Sequence, residues 1–496
     1  MRYSGILLPI FSLPGKYGIG CFSKEAYDFV DFLAESNQTY WQILPLGPTS
    51  YGDSPYQSFS TFAGNPYFIS LEGLIKKGLL TDKECDEVNF GKSDKTIDYE
   101  ILYKNRFTLL RKAYKRANVE SDSDYEAFVN NNEYWLDDYA LYMSVKNSFG
   151  DVSLKEWDED IRMRNPEAVE KYKKELCDDI GFYKFLQFEF IQQWLELKRY
   201  ANSKNVKIIG DIPIYVSFDS ADTWAHPELF ELDEKRNLIS VAGCPPDGFS
   251  ADGQLWGNPI YRWDYHESTD FAWWKLRMAK CKELYDVIRI DHFRGFDEFY
   301  SIPADAKTAQ GGEWRKGPGI KLFNSLNGIL SDVKIIAEDL GFVTDTVREL
   351  VAQTGFPNMK VIEFAFDERD SGNSSDYLPH NYTSNAVVYT GTHDNETLVG
   401  WLGQITKEEY EMVKAYTDYR GEDVLELADK IIRMIHASVA ETCIIPLQDY
   451  LHLDNSARIN IPSTLGGNWV WRMSKNDIND ELVKKIGALT KLYGRG

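Results

Sequence analysis

Short apolar runs rich in β-branched residues recur along this chain, and many of them end in a polar or charged residue. They are Thr39–Leu44, Pro66–Ser70, Val206–Asp211, Val287–Asp291, Lys334–Glu338, Lys360–Phe364, Ala386–Thr390 and Thr442–Leu447. From Val206 onward, segments with helical periodicity separate them, among them Phe271–Leu284, Thr344–Thr354 and Val424–Ala440. A strand that is apolar along its whole length is buried on both faces, and parallel strands need helical crossovers between them. Eight such runs predict an α/β fold: a (β/α)8 TIM barrel forming one unit over residues 1–496.

Two stretches do not fit a plain strand–helix repeat. Residues 71–205 are rich in Lys, Glu, Tyr and Leu, with helical periodicity in Trp135–Lys146 and Tyr183–Lys198. They predict a helical insertion subdomain between the second and third strands. Residues 237–262 are rich in Gly, Pro and aromatic side chains, and read as an inserted loop of the kind that carries function. The short stretch beyond Pro462 leads to the expectation of no C-terminal β-sandwich domain.

In a barrel the C-terminal ends of the strands converge on one mouth. Three carboxylates stand at such ends: Asp291 closes Val-Ile-Arg-Ile-Asp, Glu338 closes Lys-Ile-Ile-Ala-Glu, and Asp394 follows Val-Val-Tyr-Thr-Gly-Thr-His. A single acid there would be read as a strand-end cap or ion-pair partner. Three, flanked by Arg289, His292 and His393, suit glycosyl chemistry. A retaining enzyme uses two carboxyl groups about 5–5.5 Å apart, one attacking the anomeric carbon and one protonating the leaving oxygen.

The segments Gly210-Asp211-Ile212-Pro213-Ile214-Tyr215, Arg289-Ile290-Asp291-His292-Phe293-Arg294-Gly295, Ile336-Ala337-Glu338-Asp339-Leu340-Gly341 and Gly391-Thr392-His393-Asp394-Asn395 carry a further signal in their order and spacing. Through them the chain closely resembles glycoside hydrolase family 77, the amylomaltases or disproportionating 4-α-glucanotransferases. The resemblance runs from Ser4-Gly5-Ile6-Leu7-Leu8 to Gly467-Asn468-Trp469. It implies transfer of α-1,4-glucan segments to the 4-OH of an acceptor glucan or glucose, with maltooligosaccharides as partners and no cofactor. Asp291 would be the nucleophile, Glu338 the acid and then the base, and Asp394 the stabiliser of the transition state.

For binding, the resemblance implies Tyr56 and Asp211 at the donor sugar, with Asp211 also readable as a partner that holds Arg289. It adds Arg289, His292 and His393 around the carboxylates, and Phe249, Trp256 and Asn258 on the insertion. Asn460 and Pro462 come from Arg458-Ile459-Asn460-Ile461-Pro462-Ser463-Thr464, where Ser463 replaces an expected Gly. Tyr51 matches a position in a remote glucan groove. Two side chains apart on one strand share a face, so Arg289 should keep Asp291 ionised.

Three other readings were weighed. An α-glucan hydrolase of the α-amylase clan would share the barrel and carboxylates, but usually has Asp-x-x-x-Asn-His where this chain has Gly-Asp-Ile-Pro-Ile-Tyr. A non-catalytic glucan-binding protein would have no need of all three acids. A metal-dependent hydrolase would need a ligand cluster, which the seven histidines do not form in sequence. The net charge of −22 disfavours nucleic acid and anionic membranes as partners. Six cysteines without a close pair, and no signal peptide or membrane span, predict a cytoplasmic protein, monomeric or a small homo-oligomer.

Overall fold

The computed structural model describes residues 2–50, 52–246, 252–341, 343–366 and 374–496. Tyr51 and Phe249, both expected at glucan sites, lie outside the described residues.

Among the described residues twelve strands form two sheets. In chain order they are β1 Tyr3–Leu7, β2 Tyr40–Gln42, β3 Lys207–Ile212, β4 Ser240–Cys244, β5 Gln254–Pro259, β6 Val287–Ile290, β7 Glu298–Pro303, β8 Glu313–Lys316, β9 Lys334–Ala337, β10 Asn358–Val361, β11 Ala386–Tyr389 and β12 Thr442–Pro446. Eight of them close into a parallel barrel in the order β1-β12-β11-β10-β9-β6-β3-β2. The expected (β/α)8 barrel is thus present.

One expected strand is not a strand. Pro66–Phe68 is a 3-10 turn, because Asn65 accepts from Tyr67 N at 3.0 Å while Pro66, which has no N–H to donate, occupies the first helical position. Ser70 then caps the following helix through Gly73 N. The missing barrel strand is β1, which pairs with β12 from the far end of the chain and with β2.

Alternation along the barrel strands decides what faces the axis. Leu7, Ile209, Val287, Ile336, Met359, Val361, Val387, Tyr389 and Ile444 form one inner cluster. Ile208, Ile288, Ile335, Val388 and Ile445 belong to the larger cluster outside it. With a period of two, Asp211, Arg289, Asp291 and Glu338 share the inner set's direction.

Between β2 and β3 the chain builds a helical layer that includes α1 Ser123–Ser148 and α2 Cys177–Ser203, antiparallel partners in a mainly aromatic contact with the barrel's outer core. After β3 come the short helix α3 Ala221–Ala225 and, before β6, α4 Ala272–Leu284. The segment 237–262, expected as a loop, is instead largely the antiparallel hairpin β4–β5. β4 also pairs with β7, and β7 with β8, giving a four-stranded sheet beside the barrel mouth. Among the described residues, no helix is long and apolar enough to cross a membrane.

Gly210 shows how tightly the outer face is packed. A Cβ built there would lie 2.1 Å from the Tyr285 ring, which covers the strand next to Asp211. Gly210→Ala should therefore lower stability by about 1–3 kcal/mol through overpacking. A urea melt is the check, and an unchanged midpoint would contradict this packing.

Candidate active site

The sequence brings its acids together through strand register. Asp211 on β3 is paired directly with Arg289 on β6, and Ile290 on β6 with Ala337 on β9. Asp291 and Glu338 each follow a paired position, so they leave adjacent strands side by side. Asp291 N donates to Ile212 O at 2.9 Å, and Glu338 N to Ile290 O at 3.1 Å, extending the ladder by one residue.

Arg289 is the electrostatic centre. Its Nη1 lies 2.6 and 2.7 Å from the two oxygens of Asp211, and 3.1 Å from Asp291 Oδ1. Its Nε donates to Met359 Sδ at 3.4 Å. Asp211 is 1% exposed, so its charge is held almost entirely by this guanidinium and by the Tyr56 hydroxyl, which donates to Oδ2 at 2.6 Å. The reading of Asp211 as a partner for Arg289 is what the contacts display.

Asp291 receives the weaker share of that cation. Burial, with Asp211, Glu338 and Asp394 nearby, pushes its carboxyl well above the usual range, while Arg289 pulls against the rise. Burial also raises Glu338, whose oxygens accept from His292 N at 2.6 Å and Leu340 N at 3.0 Å. Both pKa values go up, so the pair retains a proton at higher pH than free carboxyls would. Arg289 touches Asp291 and not Glu338, so its attraction for negative charge falls more directly on Asp291. His292 sits at φ +50°, and this left-handed turn aims its N–H at Glu338. Its ring is edge-on to Trp256 with centroids 4.7 Å apart, and burial lowers its pKa to about 3, so it is neutral.

The third acid enters from the loop after β11. Asp394 Oδ1 accepts from Asn460 Nδ2 at 2.6 Å, and its backbone carbonyl from Arg458 Nη2 at 2.7 Å. Its Oδ2 lies 3.4 Å from His393 Nε2. The His393 ring stacks on Tyr56 at 5.0 Å and 14°, and burial lowers its pKa. Tyr56 thus joins the Asp211–Arg289 pair to the His393–Asp394 turn.

Other expected residues take different places. Asn258 is buried and its amide is already used: Nδ2 donates to Val216 O at 2.8 Å, and Oδ1 accepts from Gln57 Nε2 at 3.1 Å. It fastens β5 to the segment carrying Tyr56. Pro462 is exposed, two residues beyond Asn460. Sequence reasoning gave no role to Trp469, whose ring centre lies 5.9 Å from Tyr56 and 6.0 Å from His393, nor to Gln57 and Arg458. All three stood inside recognised motifs, which was the available signal.

A profile of the glycoside hydrolase family 77 4-alpha-glucanotransferases matches residues 8–478. The chain belongs to this family. It is 51% identical to the 4-alpha-glucanotransferase of Clostridium butyricum, over 98% of this chain and 99% of that one. With the 4-alpha-glucanotransferase of Streptococcus pneumoniae TIGR4 it shares 47% identity, over 100% of this chain and 97% of the relative. The solved amylomaltase of Streptococcus agalactiae in complex with acarbose superposes with a TM-score of 0.96 at 43% identity, covering 100% of both chains. An amylomaltase from Corynebacterium glutamicum, at 17% identity and a TM-score of 0.77, shares the fold. Membership in the family makes this chain an enzyme of α-1,4-glucan transfer.

If Arg289 carries the charge of Asp211 as the geometry indicates, Arg289→Met leaves a buried carboxylate with one hydroxyl for company. The expected loss is about 3–5 kcal/mol, read from the urea midpoint at neutral pH. A variant as stable as the parent would contradict the assignment.

Proposed function

We propose that this protein transfers α-1,4-glucan segments from a donor to the 4-OH of an acceptor glucan or glucose by retaining double displacement, with Asp291 as nucleophile and Glu338 as acid/base. The observation that carries the assignment is the asymmetry between two adjacent carboxyls. Asp291 touches a guanidinium, whereas Glu338 touches only backbone N–H groups. In this reading the guanidinium favours negative charge on Asp291, while burial favours the protonated form of Glu338 against the pull of its two N–H donors.

In the first step Asp291 attacks the anomeric carbon, and Oδ2 is the oxygen left free by the bond of Oδ1 to Arg289. The glycosidic C–O bond breaks, an ester forms, and Glu338 gives its proton to the departing oxygen. In the second step Glu338, now charged, takes the proton of the acceptor 4-OH. That oxygen bonds to the anomeric carbon and the ester to Asp291 breaks. Atoms and charge return to the start, with the chain moved. Asp394, steadied by Asn460 and beside His393, is placed to hold ring hydroxyls as the sugar flattens. Tyr56 and Asp211 form the wall for the donor sugar, and Trp256 with His292 the side nearer the hairpin. Phe249 and Tyr51 are further glucan contacts in this reading, and both lie outside the described residues.

Water and sugar compete for the same ester, so transfer requires that the acceptor sugar displace water. The ladder of products from maltotriose tests this directly. Transfer spreads chain lengths while total reducing ends stay constant; a steady rise in reducing ends would make the protein a hydrolase. No turnover at all would leave only a glucan-binding protein. Six free cysteines and the lack of a membrane-crossing helix among the described residues support a cytoplasmic site of action.

Glu338→Gln should reduce maltotriose turnover by about 10²–10⁴-fold, because that leaving group needs a proton. A glycosyl fluoride leaves without one, so the variant should still form the ester from it. Wild-type activity should be bell-shaped in pH. The acid limb marks the second proton binding to the Asp291–Glu338 pair, and the alkaline limb the loss of the first, above the ordinary Glu range because burial raises both groups. Equal losses on both donors would overturn the role of Glu338.

A further inference from the structure

A second cavity, of about 190 Å3, lies between the helical layer and the barrel and shares none of the carboxylate cluster's residues. Its walls come from α1, α3, α4 and the segment after β2. Since a cavity of ~150 Å3 suffices to hold benzene, this one accommodates a six-membered ring. Its rim is exposed and apolar: Tyr134 on α1 is 41% exposed and Leu276 on α4 is 43% exposed. Deeper in stand Phe62, Trp135 and Trp273, with Phe62 edge-on to Tyr134 at 5.7 Å.

The polar groups narrow the ligand further. Three acids line the cavity: Asp138 is paired with Arg164 at 2.7 Å, and Glu228 lies 3.4 Å from His226, an ion pair when that imidazole is protonated. The third, Asp222, is 4% exposed. Its Oδ2 accepts from Thr61 N at 2.8 Å, and Oδ1 has no side-chain partner among the described residues. Arg277 and Lys280 already lie over Trp273 and Trp135, 5.5 and 5.7 Å from the ring centres. A cage for an ammonium ion needs free aromatic faces and uncompensated charge. This cavity offers neither in full. A small number of buried acceptors among aromatic walls suits a neutral ring with an apolar face and hydroxyl edges.

We infer that this cavity is an accessory site for one neutral pyranose, a glucose unit either free or at the end of an α-glucan. Naming glucose rests on the α-glucan reading above, whereas the cavity chemistry alone specifies a neutral sugar ring. The site would tether a chain to the enzyme apart from the carboxylates that cut it.

Maltose titrated into the intact protein, followed by tryptophan fluorescence and by saturation-transfer NMR, should show a class of site beyond those at the carboxylate cluster and the Tyr51 groove. Tyr134→Ala, which removes a rim ring, and Leu276→Trp, which fills the mouth, should each weaken one class by about tenfold or more. Both positions are exposed, and maltotriose turnover at saturating substrate should be unchanged in both variants. Classes that are all undiminished in both variants would overturn the inference. So would displacement of that class by tetramethylammonium, which would make the cavity a cation cage. If maltose binds in a class that Tyr134→Ala removes but the protein turns over nothing, the transferase reading fails and this one stands.

Discussion

One guanidinium nitrogen lies within hydrogen-bond distance of three carboxylate oxygens inside the barrel, two on Asp211 and one on Asp291. Burying Asp211 is tolerable only because Arg289 is there, and Arg289, itself buried, needs the acids in turn. The β3–β6 register that sets Asp211 opposite Arg289 is therefore also the register that sets the depth of Asp291. The same cation reaches the third acid indirectly. Tyr56 bonds to Asp211 and stacks on His393, which adjoins Asp394. Loss of the central pair would loosen three strand ends at once.

The unequal sharing of that cation has a chemical consequence. If Arg289 served Asp291 alone, that carboxyl would be held firmly as an anion. Because Asp211 takes two of the three contacts, Asp291 receives less of that pull, and burial with the neighbouring acids pushes its carboxyl up. Glu338, fixed by two backbone donors that favour its charged form, is pushed up by burial. The sequence-based expectation pairs Arg289 with Asp291, whereas its larger contact is with Asp211.

Strands β3, β6, β9, β11 and β12 were legible because burial on both faces writes an unbroken apolar run, and the barrel mouth ends many of them in a charged or polar residue. β1 was not, since its five residues precede Pro9 and its partner β12 lies at the other end of the chain. Pro66–Ser70 carried a strand's composition, but Asn65, Pro66 and Ser70 are capping chemistry, and local hydrogen bonds decided the outcome. The hairpin β4–β5 escaped because it packs in a small sheet outside the barrel, where glycines and prolines break the alternation that marks a strand. At the site, residue type and strand end were enough to bring the three carboxylates forward. For Asn258 the motif gave no sign of its protein partners, a backbone carbonyl and Gln57.

The central claim is that the covalent sugar ester forms on Asp291. The direct test is to react the wild-type protein with a fluorinated glycosyl fluoride, which slows the second step more than the first, then digest it and locate the added sugar by mass spectrometry. The sugar should be found on the peptide containing Arg289-Ile290-Asp291, at Asp291, and Asp291→Asn should take up none. A label on Asp394, Asp211 or Glu338, with Asp291 unmodified, would contradict the account.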